Sequence, residues 1–300
     1  MIAIVVADLI LLIILTALVS GNNLSAAVGA LVGSRTLSRI GGALIGIAGY
    51  IAGFLTEGYR MTSAASSLLP HSYYYTLLLF SVAVFIFLIA ELLRSPLSLT
   101  MVLVGVSVGI SLRHGFDLNL RFLYLLIATW ILIPFASIAI SYISNRGISR
   151  VRASNPWSMA LFFKLSLIVV AIFTAFTLGA NTIGLIGAFY GISNLEKLCV
   201  VSGIVAGSFL LSSGVLKRVG EEMYSIRYSN AMVSTLLSSL MVEISTFFSI
   251  PMSNTQTLTS CVFGSGLSYK MRAIYFKPFL LVIITWIISP ITGLAMGYIF

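Results

Sequence analysis

Two kinds of uncharged polar side chain recur at matched positions in the two halves of this 300-residue chain. An asparagine follows a Thr-Ala-x3-Gly-x pattern in each half, and hydroxyl or amide residues follow a proline further along each half. The residues concerned are Asn23, Ser98 and Thr100 in the first half, and Asn181, Ser253, Asn254 and Thr255 in the second. Such side chains donate hydrogen bonds, and a helix that begins beside them offers an anion its positive N-terminal end. The pattern therefore predicts a site for a small tetrahedral oxyanion, with helix capping alone as the plainer alternative.

The matched positions belong to a duplication that runs through the whole chain. Three blocks recur in the same order: 16–33 as 174–191, 96–112 as 251–267, and 129–134 as 285–290. Blocks repeated in order at nearly one offset indicate a tandem repeat. We therefore expect transmembrane repeat units at 1–143 and 157–300, joined by a basic cytoplasmic linker at 144–156.

The composition is that of a membrane protein. Hydrophobic residues make up 59% of the chain and charged residues 8%, with a mean hydropathy of +1.09, whereas a soluble domain has about 25% charged residues. Apolar stretches of about 18 residues or more recur from end to end. The basic residues behind the net charge of +9 lie mostly in short loops, where they orient a protein in the bilayer rather than bind nucleic acid. We expect a multi-pass protein of the cell membrane.

The expected membrane segments follow one plan in both halves. They are 2–19, 38–56, 73–93, a short proline-led piece at 96–112, and 119–143, followed by 157–178, 195–214, 229–249, a short piece at 252–268, and 277–299. A helix from residue 2 to residue 34 would measure about 50 Å, against roughly 30 Å of hydrocarbon. We therefore expect that segment to be broken, bent back or strongly tilted near Asn23, and we expect a loop at 57–72.

The number of crossings and the loop charges predict how the halves are oriented. Five crossings per half make the second half an inverted copy of the first, which is an architecture of transporters. With the linker in the cytoplasm, most loop lysines and arginines also lie there, and both chain termini lie outside. The predicted fold is an all-α polytopic membrane protein with two inverted-topology repeats and broken or re-entrant helices. Non-helical backbone at membrane depth persists only where it is buried or lines a wet cavity.

Ionisable and hydroxyl groups inside the apolar segments are candidates for coupling to an ion. The candidates are Glu243, Glu91, Ser25 and Thr182. Glu243 has no basic residue within a helical turn, whereas Glu91 precedes Arg94 by three residues and an ion pair is its plainer interpretation. Asp8 ranks lower because we expect it near a membrane interface.

Two motifs in each half resemble those of a known family. Residues 21–27 and 179–185 resemble a Gly-Ala-Asn-Asp-x-Ala-Asn signature, and residues 96–101 and 251–256 resemble a Pro-x-Ser-Thr-Thr-His loop. Both motifs, once in each of two inverted repeats, occur in the inorganic phosphate transporter family, which includes phosphate and sulfate permeases. The resemblance spans nearly the whole chain. It implies a secondary transporter that carries phosphate or sulfate by alternating access and is coupled to an ion.

The chain departs from that family at several motif positions, including the aspartates that the resemblance would make cation ligands. The signature aspartates are Leu24 and Thr182 here, and the loop histidines are Met101 and Gln256. A hard cation prefers several oxygen ligands, so a sodium site of the family type is not expected. Three alternatives are open: the coupling has moved to other groups, the protein uses protons, or the substrate differs. Coupling by H+ or Na+ is expected without any bound cofactor or metal.

Other classes of function fit the sequence less well. A channel, or a carrier for another small solute, could be built on the same inverted repeat and is the alternative. An enzyme is not expected, because no His-Glu-x-x-His or paired-aspartate motif occurs. The glycine-rich second segment is also compatible with a homodimer, since small residues allow helices to pack closely in membranes.

Overall fold

The computed structural model describes residues 2–33, 35–92, 97–148, 156–191, 193–211, 228–269 and 276–300. This part of the chain is almost entirely helical and contains no strand. The helices of the first half are α1 (Ile2–Gly33), α2 (Arg39–Glu57), α3 (Thr62–Leu68), α4 (Tyr73–Leu92), α5 (Leu99–His114) and α6 (Leu120–Ile148). Those of the second half are α7 (Pro156–Leu178), α8 (Gly184–Tyr190), α9 (Asn194–Leu210), α10 (Tyr228–Phe247), α11 (Asn254–Tyr269) and α12 (Phe276–Ile299).

The apolar helices fit a bilayer in length and in surface. Five described stretches are long and apolar enough to cross a membrane: Ile2–Gly33, Arg39–Leu68, Tyr73–Ala90, Leu120–Ile148 and Trp157–Tyr190. Large apolar side chains remain exposed on them, such as Ile10, Phe135 and Val169. That surface would be unfavourable in water but is the normal surface of a helix in lipid. The prediction of a multi-pass, all-α membrane protein is confirmed.

Of the three expectations for this segment, the break and the bend near Asn23 are wrong, because α1 is one continuous helix of 32 residues, whereas strong tilting stays a prediction. Its length of about 48 Å exceeds the hydrocarbon thickness, so the helix tilts or extends beyond it. The matching point of the second half does depart from a regular α-helix: Gly179–Ile183, between α7 and α8, is a π-helical segment that contains Asn181. Such segments often occur at functional sites.

The predicted loop at 57–72 is also partly helical. A single turn of 3-10 helix at Gly58–Met61 leads into the short helix α3. Buried Met61, Ala65 and Leu68 give this stretch an apolar side that packs against the protein. The stretch is too short to cross a membrane. Its apolar pattern covers only one or two helical turns, which is too few to predict a helix from periodicity.

Glycines fix the direction of α2 relative to α1. Gly42 lies against Val28 and Val32, whereas Gly46, one turn later on α2, lies against Leu24, one turn earlier on α1. Residue numbers therefore rise on one helix as they fall on the other. The two helices are antiparallel, as the short connection between them requires.

Contacts at two further glycines show that α2 runs parallel to α7. Gly49 lies against Ala175, and Gly53 lies against the backbone of Phe176 and Ala180. A Cβ at either glycine would collide with α7, so only glycine permits this distance between the helices. Because α2 is antiparallel to α1 and parallel to α7, the equivalent helices α1 and α7 run in opposite directions. An inverted repeat requires that relation.

Each half packs against the other through matched contacts. Gly207 of α9 lies against Ala17 of α1, just as Gly49 of α2 lies against Ala175 of α7. These pairs differ by the same 158 residues that separate the two asparagines. The glycine positions of α2 are therefore occupied by contacts within the chain, and the homodimer stays a prediction that these glycines do not support.

The second set of matched contacts involves the two short helices. Gly109 of α5 lies against the Leu294 carbonyl of α12, and Gly264 of α11 lies against the Ile138 carbonyl of α6. The short helix of each half is thus held by the last helix of the other half. The repeat units are separate in sequence but interlocked in space, and this places the starts of α5 and α11 close together.

Candidate functional site

A cavity of about 310 Å³, including its opening, lies between the two halves. Its walls come from α1, α4, the starts of α5 and α11, and the π-helical segment. They are formed by Val19, Asn22, Asn23, Phe87, Leu97, Ser98, Leu99, Thr100, Thr182, Ser253, Asn254 and Thr255. Every one of these lining residues is uncharged, so the cavity offers hydrogen-bonding groups and helix ends rather than fixed charges. Six of the seven residues predicted to bind substrate lie in this wall.

The two short helices begin at the cavity in the same way. Ser98 caps α5, since its Oγ accepts the Met101 N–H at 3.4 Å, and Ser253 caps α11, since its Oγ accepts the Gln256 N–H at 3.4 Å. Capping by serine oxygen leaves the other first-turn N–H groups of each helix without partners in that helix. Capping and anion binding are therefore compatible, and two positive helix ends meet in one place.

The side chain of Asn254 is buried in the cavity wall without a hydrogen-bond partner. Its side chain is 5% exposed, and neither its amide nitrogen nor its amide oxygen has a hydrogen-bond partner. A buried polar group without a partner costs about 1–3 kcal/mol. An amide in this position, beside two helix ends, is suited to donate a hydrogen bond to a ligand in the cavity.

The hydroxyl groups near Asn254 are arranged around it. Ser253 and Thr255 share a hydrogen bond of 2.9 Å between their hydroxyl oxygens, in which either can be the donor. Thr100 and Thr182 are both 3% exposed and reach the cavity from the first half and from the π-helical segment. A hydroxyl can turn its proton towards a ligand without moving the backbone.

The two repeated asparagines occupy different environments. Asn23 lies in the cavity wall and is only half-buried. Asn181 is fully buried and is not among the lining residues; its amide nitrogen donates to Thr246 Oγ1 at 2.9 Å and to the Ile250 carbonyl at 3.1 Å. The structure therefore brings together six of the predicted binding residues and places Asn181 behind them.

Trp130 was missed by the sequence reasoning, although its motif was found. Its indole N–H donates to the Pro251 carbonyl at 3.0 Å, and its own carbonyl accepts the Gln256 amide at 2.9 Å. That carbonyl is free because Pro134, four residues later in α6, has no N–H to donate to it. The repeated Thr-Trp-Ile-x2-Pro block was the signal, since a tryptophan and a helix-interior proline with fixed spacing suggest a shared structural role.

The ion-coupling candidates lie in different places. Thr182 lines the cavity, whereas the Ser25 hydroxyl donates to the Asn22 carbonyl of its own helix at 3.2 Å. The side chain of Glu91, like Arg94, lies outside the described residues. Glu243 is half-buried on α10 and is not one of the residues that form the cavity wall.

Glu243 belongs to a group of charged residues contributed by both halves. Its carboxyl contacts that of Glu57 at the end of α2. Glu57 in turn accepts a hydrogen bond from the Arg60 guanidinium at 3.0 Å, and that guanidinium lies 4.7 Å from the centre of the Phe247 ring. Two carboxyl groups in contact hold fewer negative charges than two separate ones, because one proton can bridge them.

Comparisons with known proteins agree with this arrangement. The sequence profile of the phosphate transporter family matches residues 148–297, which is half of the chain. A "putative phosphate permease" of Methanocaldococcus jannaschii is 24% identical over 208 residues, covering 69% of this chain and 68% of the relative. The sulfate permease CysP of Bacillus subtilis is 24% identical over 297 residues, covering 94% of this chain and 82% of the relative. Among solved structures, the sodium-dependent phosphate transporter matches with a TM-score of 0.84 at 18% identity, over 99% of this chain and 98% of that one.

Proposed function

Because the chain belongs to the phosphate transporter family, we propose that it carries an inorganic oxyanion, phosphate or sulfate, across the cell membrane by alternating access. The observation that carries this proposal is the pair of helix starts at one cavity, with the unpartnered Asn254 amide between them. Relatives named for phosphate and for sulfate transport cover most of this chain. Both anions are tetrahedral and doubly charged or nearly so at neutral pH, and one arrangement of donors suits either.

The cavity binds an anion through dipoles. An oxyanion that leaves water loses its hydration, and each lost hydrogen bond must be replaced by a donor of the protein. First-turn N–H groups of α5 and α11, hydroxyls of Ser98, Thr100, Ser253 and Thr255, and the amides of Asn23 and Asn254 supply such donors. Asn181 does not contact the anion itself; its hydrogen bonds hold the loop that carries Ser253.

The inverted repeat supports alternating access. When equivalent helices of the two halves exchange their arrangements around a shared site, the opening moves from one face of the membrane to the other. Here the starts of α5 and α11 lie at the site, while each helix is held by the opposite half. Motion of one half against the other would therefore change the cavity from both sides at once.

We propose that protons rather than sodium ions provide the coupling. No carboxylate lies among the described residues of the cavity wall, and a sodium site normally requires several oxygen ligands, often charged. Glu243 and Glu57 join α10 of the second half to α2 of the first, so a proton between them affects the contact between the halves. Thr182 and Ser25 are the hydroxyl candidates for a sodium site, and Glu91 is a further carboxyl candidate.

The proposal is tested by uptake of labelled phosphate and sulfate into proteoliposomes. Inward gradients of Na+ and of H+ are imposed separately, and empty liposomes serve as the control. We expect saturable uptake of one of the two anions, stimulated by the proton gradient, and counterflow when the vesicles are preloaded with unlabelled anion. Uptake without saturation or counterflow would show a channel, and uptake of neither anion would contradict the proposed function.

A further inference from the structure

Asp8 is a buried carboxyl group with no partner. It lies on α1, is 0% exposed, and both of its carboxyl oxygens lack hydrogen-bond partners. No ion pair of Asp8 is found among the described residues. A lone carboxylate in such surroundings is strongly disfavoured, and the neutral acid is the form that fits.

The groups around Asp8 are acids and phenols. Tyr190, at the end of α8, interacts electrostatically with it and donates a hydrogen bond to the Val5 carbonyl at 3.4 Å, one turn before Asp8. Glu196 and Cys199 of α9 lie around the same phenol group. Each of these groups is neutral or negative, so none compensates a negative charge on Asp8.

A polar aromatic path connects this position to the end of the helix bundle. The ring of Tyr190 lies 5.7 Å from that of Tyr73, and the ring of Tyr73 lies 6.2 Å from that of His71. Tyr73 and His71 are exposed, whereas Tyr190 is buried. These ring contacts are not hydrogen bonds, so water that enters beside the rings would be needed to carry a proton to Asp8.

We propose that Asp8 is a second protonation site, separate from the anion cavity and from Glu243, which binds a proton in the conformation described and releases it in the opposite one. The step is an acid–base exchange: the carboxylate takes a proton from hydronium and leaves water, and the reverse step returns the proton. No residue of this site lies in the cavity wall, so the two sites are distinct. The role of Asp8 in coupling rests on the proposed transport function, whereas its protonation does not.

The continuous helix α1 provides the connection between the two sites. Asp8 and Asn23 lie on it 15 residues apart, which is about 22 Å along the axis. Since α1 has no break, a tilt of α1 that uncovers Asp8 also moves the part of α1 that lines the cavity. Because α1 is continuous, a proton bound at Asp8 can influence an anion bound near Asn23.

The first test needs no transport measurement. The chain has two aspartates, Asp8 and the exposed Asp117, so labelling aspartate carboxyls with 13C gives two signals in NMR or infrared spectra of the protein in nanodiscs. Asp117→Asn removes the exposed one and leaves Asp8 alone. We expect the remaining signal to be that of a protonated acid at neutral pH. A signal of an ionised carboxylate would overturn the proposal, whatever the protein transports.

The second test measures the role in transport. Asp8→Asn, which keeps the shape of the neutral acid, should bind anion as the unmodified protein does but lose stimulation by an inward proton gradient. Asp117→Asn makes the same chemical change on the surface and should retain that stimulation. If Asp8→Asn keeps full stimulation, Asp8 is not a coupling site. A third outcome is that neither Asp8→Asn nor Asp117→Asn takes up anion while the carboxyl signal of Asp8 is that of a protonated acid. In that case the proposed transport function fails and the protonation site stands.

Discussion

The side-chain oxygen of Asn181 accepts the backbone N–H of Met252 at 2.9 Å. With the two bonds that its amide nitrogen donates to Thr246 and Ile250, this side chain fastens the π-helical segment to the loop that leads into α11. Asn23, its counterpart, lies in the cavity wall instead. One repeated residue thus has two environments, although the local sequence pattern around it is the same in both halves.

The two asparagines should respond differently to replacement by alanine. Asn181→Ala removes three hydrogen bonds of about 1 kcal/mol each, so we expect lower thermal stability by roughly 3 kcal/mol together with weak transport. Asn23→Ala should keep the stability and weaken only the apparent affinity for the anion. Thermal unfolding in detergent, measured beside uptake, separates the two cases; equal stability of both variants would contradict the assigned roles.

Asn254→Leu tests the unpartnered amide. Leucine is the residue at the equivalent position of the first half, Leu99, so the change has a precedent in the same fold. A hydrogen bond to a charged partner contributes about 1.5–3 kcal/mol, so affinity should fall by roughly one to two orders of magnitude while stability is kept or rises. Ser63→Ala, on the exposed side of α3, is the control that should change nothing. Unaltered binding by Asn254→Leu would show that the amide does not contact substrate.

The serine caps offer a matched pair of variants. Ser98→Ala and Ser253→Ala should each destabilise one helix start by about 1 kcal/mol and weaken anion uptake. Threonine at either position retains the hydroxyl cap and should restore most of the stability and most of the anion uptake. If alanine and threonine behave alike in uptake and unfolding, the hydroxyls are not used in the way described here.

Pro134→Ala tests the link between α6 and the loop. Alanine restores an N–H that can bond the Trp130 carbonyl, and the Gln256 amide then competes for its acceptor. We expect slower transport although α6 itself becomes a more regular helix. Gln256→Met, which copies Met101 of the first half, should produce a similar loss. Full activity of both variants would mean that this bond does not position the loop.

Glu243→Gln addresses the contact between the two carboxyl groups. Glutamine cannot release a proton, so the response of uptake to external pH should be lost while anion binding remains measurable. In the unmodified protein, lowering the external pH should increase uptake, because the proton enters with the anion. Arg113→Gln, an exposed arginine at the end of α5, is a charge-changing control; strong stimulation by sodium in the unmodified protein would contradict proton coupling.

The repeated blocks were sufficient to predict most of the fold. The pattern predicted helices near their observed bounds, and the matched serines were placed at the starts of α5 and α11. What the sequence could not show was which asparagine would face the cavity, because Asn23 and Asn181 stand in the same local pattern. Their difference arises from tertiary contacts with Thr246, Ile250 and Met252.

The continuity of α1 was unpredictable for a related reason. Gly21 and the neighbouring asparagines are poor helix formers, and a break was the natural expectation from local preference. The helix persists because Gly21 lies against Gly207 of α9, where only glycine fits. Packing between helices therefore overrides local propensity at this point. The sequence of α1 alone cannot predict this, because the contact depends on α9.

The most direct test of the central claim is to locate a bound oxyanion. Selenate has the shape and charge of sulfate, and its selenium can be identified by anomalous scattering in crystals of the protein grown with it. We predict one selenium peak in the cavity, between the starts of α5 and α11, with a selenate oxygen within hydrogen-bond distance of the Asn254 amide. A peak elsewhere, or an empty cavity under conditions where selenate inhibits uptake, would contradict the account.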